Sequence, residues 1–215
     1  MAGLIITIAQ QNGGAGKTTV AAHLAVAYML GGKSVAVLDV DPQGSLGQWY
    51  ERREQAYGEE ETGLLFRTAS GWGAKREAKA LARTYDIVIV DTPPKSDIEL
   101  KPAVKAADLV VVPVQPTPMD LWATEPTLAM IDAEGASSVL ILNRVIARAL
   151  LTGEISEAVG KLGHRVAKAT YGSRVAYAAS IGQGSTVLET EPWSLAAEEA
   201  RTVAREVARR ARQEA

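Results

Sequence analysis

The chain is predicted to fold as an α/β protein, a doubly wound, mostly parallel sheet with helices on both faces. Its strand candidates are nearly continuous runs of Val, Ile and Leu, the pattern of strands covered on both sides. These runs alternate with helical stretches along the whole length, the order that builds parallel strands through crossovers. The first run opens onto a glycine-rich turn and then a helical pattern, and in such sheets ligands bind at the strands' carboxyl ends.

Strands are predicted at Leu4–Ala9, Val35–Asp39, Leu64–Ala69, Ile87–Asp91, Leu109–Val114 and Val139–Asn143, with a weaker candidate at Arg165–Ala169. Helical patterns fall near 18–31, 44–57, 73–84, 97–107, 119–134 and 152–162, and a C-terminal helix near 194–213. Gly31-Gly32 follows the first helix as a left-handed cap would. No internal repeat or low-complexity linker interrupts the 215 residues. One domain, 1–215, is expected.

Hydrophobic residues make up 47% of the chain and aromatics only 5%, so Ala, Val, Leu and Ile must pack the core. A formal charge of −2 argues against a globally basic, nucleic-acid-coating protein, although a local basic patch remains compatible with it. The absence of cysteine removes disulfide, thiol-nucleophile and zinc-thiolate chemistry together. His23 and His164 lack ligand spacing, and a lone helix histidine such as His23 reads as a packing or surface residue. The first strand begins almost at once, and no apolar run approaches the roughly 20 residues that span a bilayer. A soluble cytoplasmic protein with no leader is expected.

The most specific segment is Gln11-Asn12-Gly13-Gly14-Ala15-Gly16-Lys17-Thr18-Thr19. A strand, a glycine-rich turn and a helix N-terminus in this order form a phosphate cradle, because backbone N–H groups and the helix's unpaired amides converge on the anion. Lys17 supplies charge for the β- and γ-phosphates of ATP, and the Thr18 hydroxyl suits Mg²⁺. The general pattern asks for glycine six residues before the lysine, where this chain has Gln11.

Two further motifs end predicted strands. Asp91 closes the apolar run Ile87–Val90, as the aspartate of a Walker B strand does, placed to hold Mg²⁺ through a water. Asp39 and Asp41 lie two apart, so on extended backbone both project to one side. Their job would be to organise a water or the metal around the γ-phosphate; Asp41 is the better candidate for orienting the attacking water and, with Thr18 and Asp91, a candidate Mg²⁺ ligand. Asp39 reads equally as a turn residue. In-line phosphoryl transfer needs positioning and charge neutralisation more than covalent help.

With these motifs in place the chain resembles the ParA/MinD-type deviant Walker A ATPases, and most of all the short ParA proteins without an N-terminal helix-turn-helix domain. Gly13-Gly14-Ala15-Gly16-Lys17-Thr18-Thr19 matches the family's Lys-Gly-Gly-x-Gly-Lys-Thr-Thr except at its first lysine. Asp39-Val40-Asp41-Pro42-Gln43-Gly44 and Asp91-Thr92-Pro93-Pro94 match its second and third motifs. Val112-Pro113-Val114-Gln115-Pro116-Thr117 and Leu142-Asn143-Arg144 resemble the segments flanking the base, so the resemblance puts Asn143 against adenine. It implies an ATP- and Mg²⁺-dependent homodimer, sandwiched around nucleotide, that binds DNA non-specifically. A ParB-like or adaptor partner stimulates hydrolysis and release, giving a nucleoid-associated protein that partitions DNA or positions cargo.

The departure is Asn12. In the resembling family a lysine there crosses the dimer interface to the partner's phosphates. A neutral amide offers an interaction of roughly half the strength. Nucleotide binding should survive on Lys17 and the cradle, while dimerisation or hydrolysis is expected to weaken. Two origins are open: a substitution engineered to trap a state, favoured because every neighbouring motif is intact, or a natural branch in which Lys95, Lys101, Lys161 or Lys168 does the work.

Candidate DNA contacts are Lys168 and Arg174, the latter in a segment resembling the short ParA proteins' DNA-facing region. Arg201, Arg205, Arg209 and Arg212 recur on one helix face and suit phosphate contact. The alternative reading of that stripe is a solvated face partly neutralised by Glu198, Glu199 and Glu206. A MinD-like membrane anchor is disfavoured, because Leu195, Val203 and Val207 offer little apolar area. Two other classes compete with the ATPase switch: a P-loop metabolic enzyme of the ATP-dependent ligase type, and a nucleotide-binding scaffold without turnover. Partner-binding surfaces are expected around 97–107 and 119–134.

Overall fold

The computed structural model describes residues 2–94, 97–146 and 157–214. Six parallel strands, β1 (Leu4–Ile8), β2 (Val35–Asp39), β3 (Leu65–Thr68), β4 (Ile87–Asp91), β5 (Leu109–Val114) and β6 (Ser138–Leu142), form one sheet in the order β3-β2-β4-β1-β5-β6. The helices are α1 (Lys17–Leu30), α2 (Ser45–Tyr57), α3 (Ala74–Leu81), α4 (Asp97–Val104), α5 (Pro118–Ala133), α6 (Val175–Gly182), α7 (Val187–Thr190) and α8 (Leu195–Glu214).

The continuous apolar runs follow from burial on both faces. Ile6, Ile8, Val37, Ile87, Ile89 and Val111 point to the face covered by α1 and α8. Their neighbours Ile5, Ala36, Leu38, Val88 and Val90 point to the opposite face, against Ala74, Ala78 and Leu81 of α3 and Ala103 of α4. On that same opposite face Val110, Val112 and Leu140 pack against Leu128 and Ile131 of α5. Helix α1 is buried almost all round from Val20 to Val26, being held between the sheet and α8. The apolar face of α8 (Ala196, Ala200, Val203, Ala204, Val207 and Ala211) is buried in this core. That face is therefore not free for a bilayer, and no helix among the described residues is long and apolar enough to cross one.

Predicted and observed elements agree to within a few residues, with one difference. Arg165–Ala169 is not a strand. Only one parallel bridge forms, Leu140 with Val166, because the next two donors, the Lys168 and Ala169 N–H groups, bond the Glu206 carboxylate instead of a neighbouring strand. Gly31-Gly32 ends α1 as expected, with Gly32 left-handed (φ 78°) and the Lys33 N–H reaching back to the Tyr28 carbonyl at 3.1 Å. Of the predicted helix 152–162, residues 152–156 lie outside the described residues, and 157–160 are helical.

Register places the chemistry. Ile8 pairs with Asp91, and Asp91 with Asp39, so the last residues of β1, β4 and β2 lie in one row at the carboxyl edge.

Candidate nucleotide-binding site

The loop after β1 turns into α1 through Gly16, whose φ of 91° is left-handed. A Cβ there would sit 2.4 Å from Asn143 Nδ2. Only glycine satisfies both the torsion and the approach. The loop is anchored from behind by Gln10, which is buried: its amide donates to Thr124 Oγ1 at 2.9 Å and accepts from Thr127 Oγ1 at 2.9 Å.

Gly13, Gly14, Lys17, Thr18 and Asp41 line a cavity of about 290 Å³ at the mouth of this loop. Lys17 is 7% exposed. Burial lowers its pKa, against the pull of Asp91 and then Asp41 to raise it. The Thr18 hydroxyl donates to Asp91 Oδ2 at 2.6 Å. Burial pushes Asp91 up to about 7, against the Thr18 hydrogen bond, with Asp39 and Asp41 adding to the rise and Lys17 opposing it. An all-oxygen donor pair suits a hard divalent cation. No three acidic or histidine side chains among the described residues converge into a protein-only metal cage. That fits Mg²⁺, which keeps most of its waters and shares its shell with phosphate oxygens.

Asp39 and Asp41 divide their work. Both oxygens of Asp39 are engaged by backbone, Oδ1 by the Asp41 N–H and Oδ2 by the Gly47 N–H, each at 3.0 Å. It organises the turn into α2, and burial raises its pKa despite those bonds. Asp41 is half-buried at the cavity rim, its side chain accepting, among the described residues, the Gln43 N–H at 2.9 Å through Oδ1.

A second cavity of about 320 Å³ adjoins the first. Asn143, Tyr171, Arg174 and Tyr177 line it, and Gly16, Thr19 and Arg144 border both. Asn143 braces the loop: Nδ2 donates to the Ala15 carbonyl at 2.8 Å and Oδ1 accepts the Arg144 N–H at 2.9 Å. Arg174 belongs to this wall. It forms a two-point pair with Glu199 at 2.6 and 3.0 Å, and Glu199 also accepts from the Gly172 N–H and the Tyr177 hydroxyl. Arg174, expected as a DNA contact, is thus paired with Glu199 in the wall of this cavity, a pairing hidden in the sequence because Glu199 lies on the last helix.

Asn12 points away from the cavity, its amide donating to Asp120 Oδ1 at 2.6 Å. Of the alternative lysines, Lys161 pairs with Glu157 at 3.0 Å, and neither it nor Lys101 nor Lys168 lines the phosphate cavity. Lys95 lies outside the described residues. Arg201 and Arg205 sit elsewhere. With Lys33, Arg209 and Arg212 they line a groove of about 660 Å³ between α8 and the end of α1, floored by Tyr28, Leu188 and Ala204. Lys168 is exposed outside it.

A parallel α/β sheet with a glycine-turn phosphate cradle and an aspartate at the end of a buried strand is the P-loop nucleoside-triphosphatase fold. Within that class the chain belongs to the CobQ/CobB/MinD/ParA nucleotide-binding domain family, whose pattern it matches over residues 6–174. It is 26% identical to maintenance of carboxysome distribution protein A of Halothiobacillus neapolitanus, over 86% of each chain. It is 35% identical to the protein of that name from Gloeobacter kilaueensis, over 75% of this chain and 71% of the relative. The cell division ATPase MinD of Pyrococcus furiosus superposes with a TM-score of 0.81 at 20% identity, over 96% of this chain and 99% of that one.

Proposed function

We propose that this chain is a DNA-associated positioning ATPase, a single ATPase domain whose ATP-bound dimer holds DNA non-specifically until a partner protein stimulates hydrolysis. The observation that carries the reading is the convergence of Lys17, Thr18 and Asp41 on one cavity beside a second, base-sized one, with the buried Asp91 hydrogen-bonded to Thr18 behind it. Lys17 and the loop amides hold the β- and γ-phosphates. Asp41, the half-buried carboxylate at the rim, orients the attacking water. Thr18 and Asp91 hold Mg²⁺, which when bound neutralises the charge developing on the phosphate oxygens. The relatives named for carboxysome distribution favour a protein assembly as cargo.

The basic groove on α8 supports the DNA part of the reading, since it gathers five cations from two distant segments of a net-acidic chain. Met119 and Trp122, 75% and 67% exposed on the first turns of α5 beside Asp120, suit a protein partner or a second copy. The Asn12–Asp120 bond favours a variant reading, slow turnover with long nucleotide retention, because the side chain at the signature position is engaged within its own protomer.

ATP turnover measured with and without duplex DNA tests this, in the parent and in Asn12→Lys. Turnover raised by DNA, and raised further in Asn12→Lys, is the expected result. ATP retained without turnover in both would replace the ATPase with a scaffold. Turnover that depends on an added small-molecule acceptor and ignores DNA would replace it with a ligase-type enzyme.

A further inference from the structure

Among the described non-glycine residues Arg144 alone has positive φ, 56°. For a side chain of this size the left-handed region is unfavourable and persists only where neighbours impose it. Here they do. The Asn143 N–H bonds the Val114 carbonyl at 2.9 Å, the Arg144 N–H bonds Asn143 Oδ1, and the Val145 N–H bonds the Tyr171 carbonyl at 2.9 Å. The backbone is fixed on both sides of the strained residue.

This conformation puts the side chain at the junction of the two cavities, the only described residue beyond the loop and α1 to border both. Its guanidinium is exposed and makes no ion pair among the described residues. Its one described side-chain hydrogen bond is a long one, 3.4 Å, to Gln115 Oε1. Gln115 in turn donates to the Gly14 carbonyl at 3.0 Å. A cation with a fork of donors is thus parked one side chain from the phosphate loop, loosely enough to turn onto an anion. Across the cavity Asn12 contributes no charge and is bonded to Asp120.

We infer that Arg144 is a phosphate-binding residue of this site, supplying the nucleotide's phosphate chain with a second positive charge from the same protomer as Lys17. The inference rests on the nucleotide reading above. It assigns to the segment after β6 a role in phosphate affinity besides any role in base contact.

The test is equilibrium binding of Mg²⁺-ATP, Mg²⁺-ADP and adenosine to the parent, Arg144→Gly and Arg144→Lys. Glycine removes the guanidinium while accepting the left-handed torsion, so the fold is retained and the melting temperature checks it. Losing one charged hydrogen-bonding group predicts about 10-fold or more weaker ATP binding. Adenosine binding should be unchanged, with partial recovery in Arg144→Lys. Unchanged ATP affinity in Arg144→Gly, or an equal loss for adenosine and ATP, would overturn the inference. A parent that binds no ATP at all would instead overturn the nucleotide reading on which it stands.

Discussion

The Asn12 carboxamide donates to Asp120 Oδ1 at 2.6 Å, while Asp120 Oδ2 accepts the Thr117 hydroxyl at 2.5 Å. Thr117 is the N-cap of α5 and accepts the Asp120 N–H in return. One carboxylate therefore ties the phosphate loop to a helix cap more than a hundred positions away in sequence. Asp120→Ala keeps the backbone N–H that Thr117 caps but loses both hydrogen bonds to the carboxylate, and should lower stability by about 1–3 kcal/mol. Asp120→Asn, which keeps an acceptor, should lose less. Chemical denaturation of the two variants beside the parent checks the order.

Gly16 and Asn143 are coupled by their close approach. Gly16→Ala forces a Cβ to within 2.4 Å of the Asn143 amide at a left-handed torsion. It should abolish ATP binding and cost at least about 1–2 kcal/mol. Asn143→Ala strips the Ala15 carbonyl of its side-chain donor, worth about 1–3 kcal/mol. Because the clash disappears with the amide, the double variant should lose less than the sum of the single losses. A double-mutant cycle by thermal denaturation reads this directly, and additivity would contradict it.

The Arg53–Glu189 pair is the strongest candidate for a stability hot point. Their side chains are 2% and 12% exposed, and Glu189 meets the guanidinium at 2.7 and 3.1 Å. Glu189→Ala leaves a buried cation unpaired and should cost about 3–5 kcal/mol. Lys161–Glu157, with both side chains about three-quarters exposed, should contribute under about 1 kcal/mol. Melting temperatures of Glu189→Ala and Lys161→Ala should differ accordingly.

His23 is fully buried, its Nδ1–H donating to the Thr19 carbonyl at 2.8 Å and its Nε2 accepting the Val187 N–H at 3.3 Å. Burial lowers its pKa to about 4 from an ordinary 6.5. The unfolded chain then binds the extra proton between those values, so stability falls as pH drops from 6.5 towards 4, by up to about 3 kcal/mol. Asp91, raised to about 7, acts in the opposite direction as pH falls through the same window. The readout is therefore the difference between parent and His23→Gln. The gap between them should change in favour of the glutamine variant as pH drops from 7 to about 4.5.

If the groove on α8 carries DNA, each arginine removed from it should flatten the salt dependence. Arg205→Ala and Arg209→Ala should each reduce the slope of log K against log salt by about 0.9 for every phosphate that the variant no longer neutralises. Lys168→Ala, outside the groove, should leave the slope alone. Equal slopes for all three would move the DNA interface elsewhere.

The sheet was legible because burial on both faces writes itself as unbroken Val, Ile and Leu, and the phosphate loop because glycine, lysine and threonine sit consecutively. What stayed hidden was assembled across the chain. Lys33 joins Arg212 only when the α1–β2 turn meets the last helix. Glu199 reaches Gly172 and Arg174 only after α8 packs on α1. Arg165–Ala169 read as a strand from composition, but its backbone donors were claimed by Glu206. The strain at Arg144 has no signature in residue type, since arginine is not a residue that announces a left-handed turn.

Helix α1 begins at Lys17 in the phosphate loop and ends at Leu30, on the wall of the basic groove. Its 14 residues make a rod of about 20 Å, clamped between sheet and α8. Such a rod is a ruler rather than a spring, setting the distance between the phosphate loop and the groove. On the proposed reading a switch built on it would be arithmetic: nucleotide would set how many grooves are presented together, and a polyanion would respond to that number.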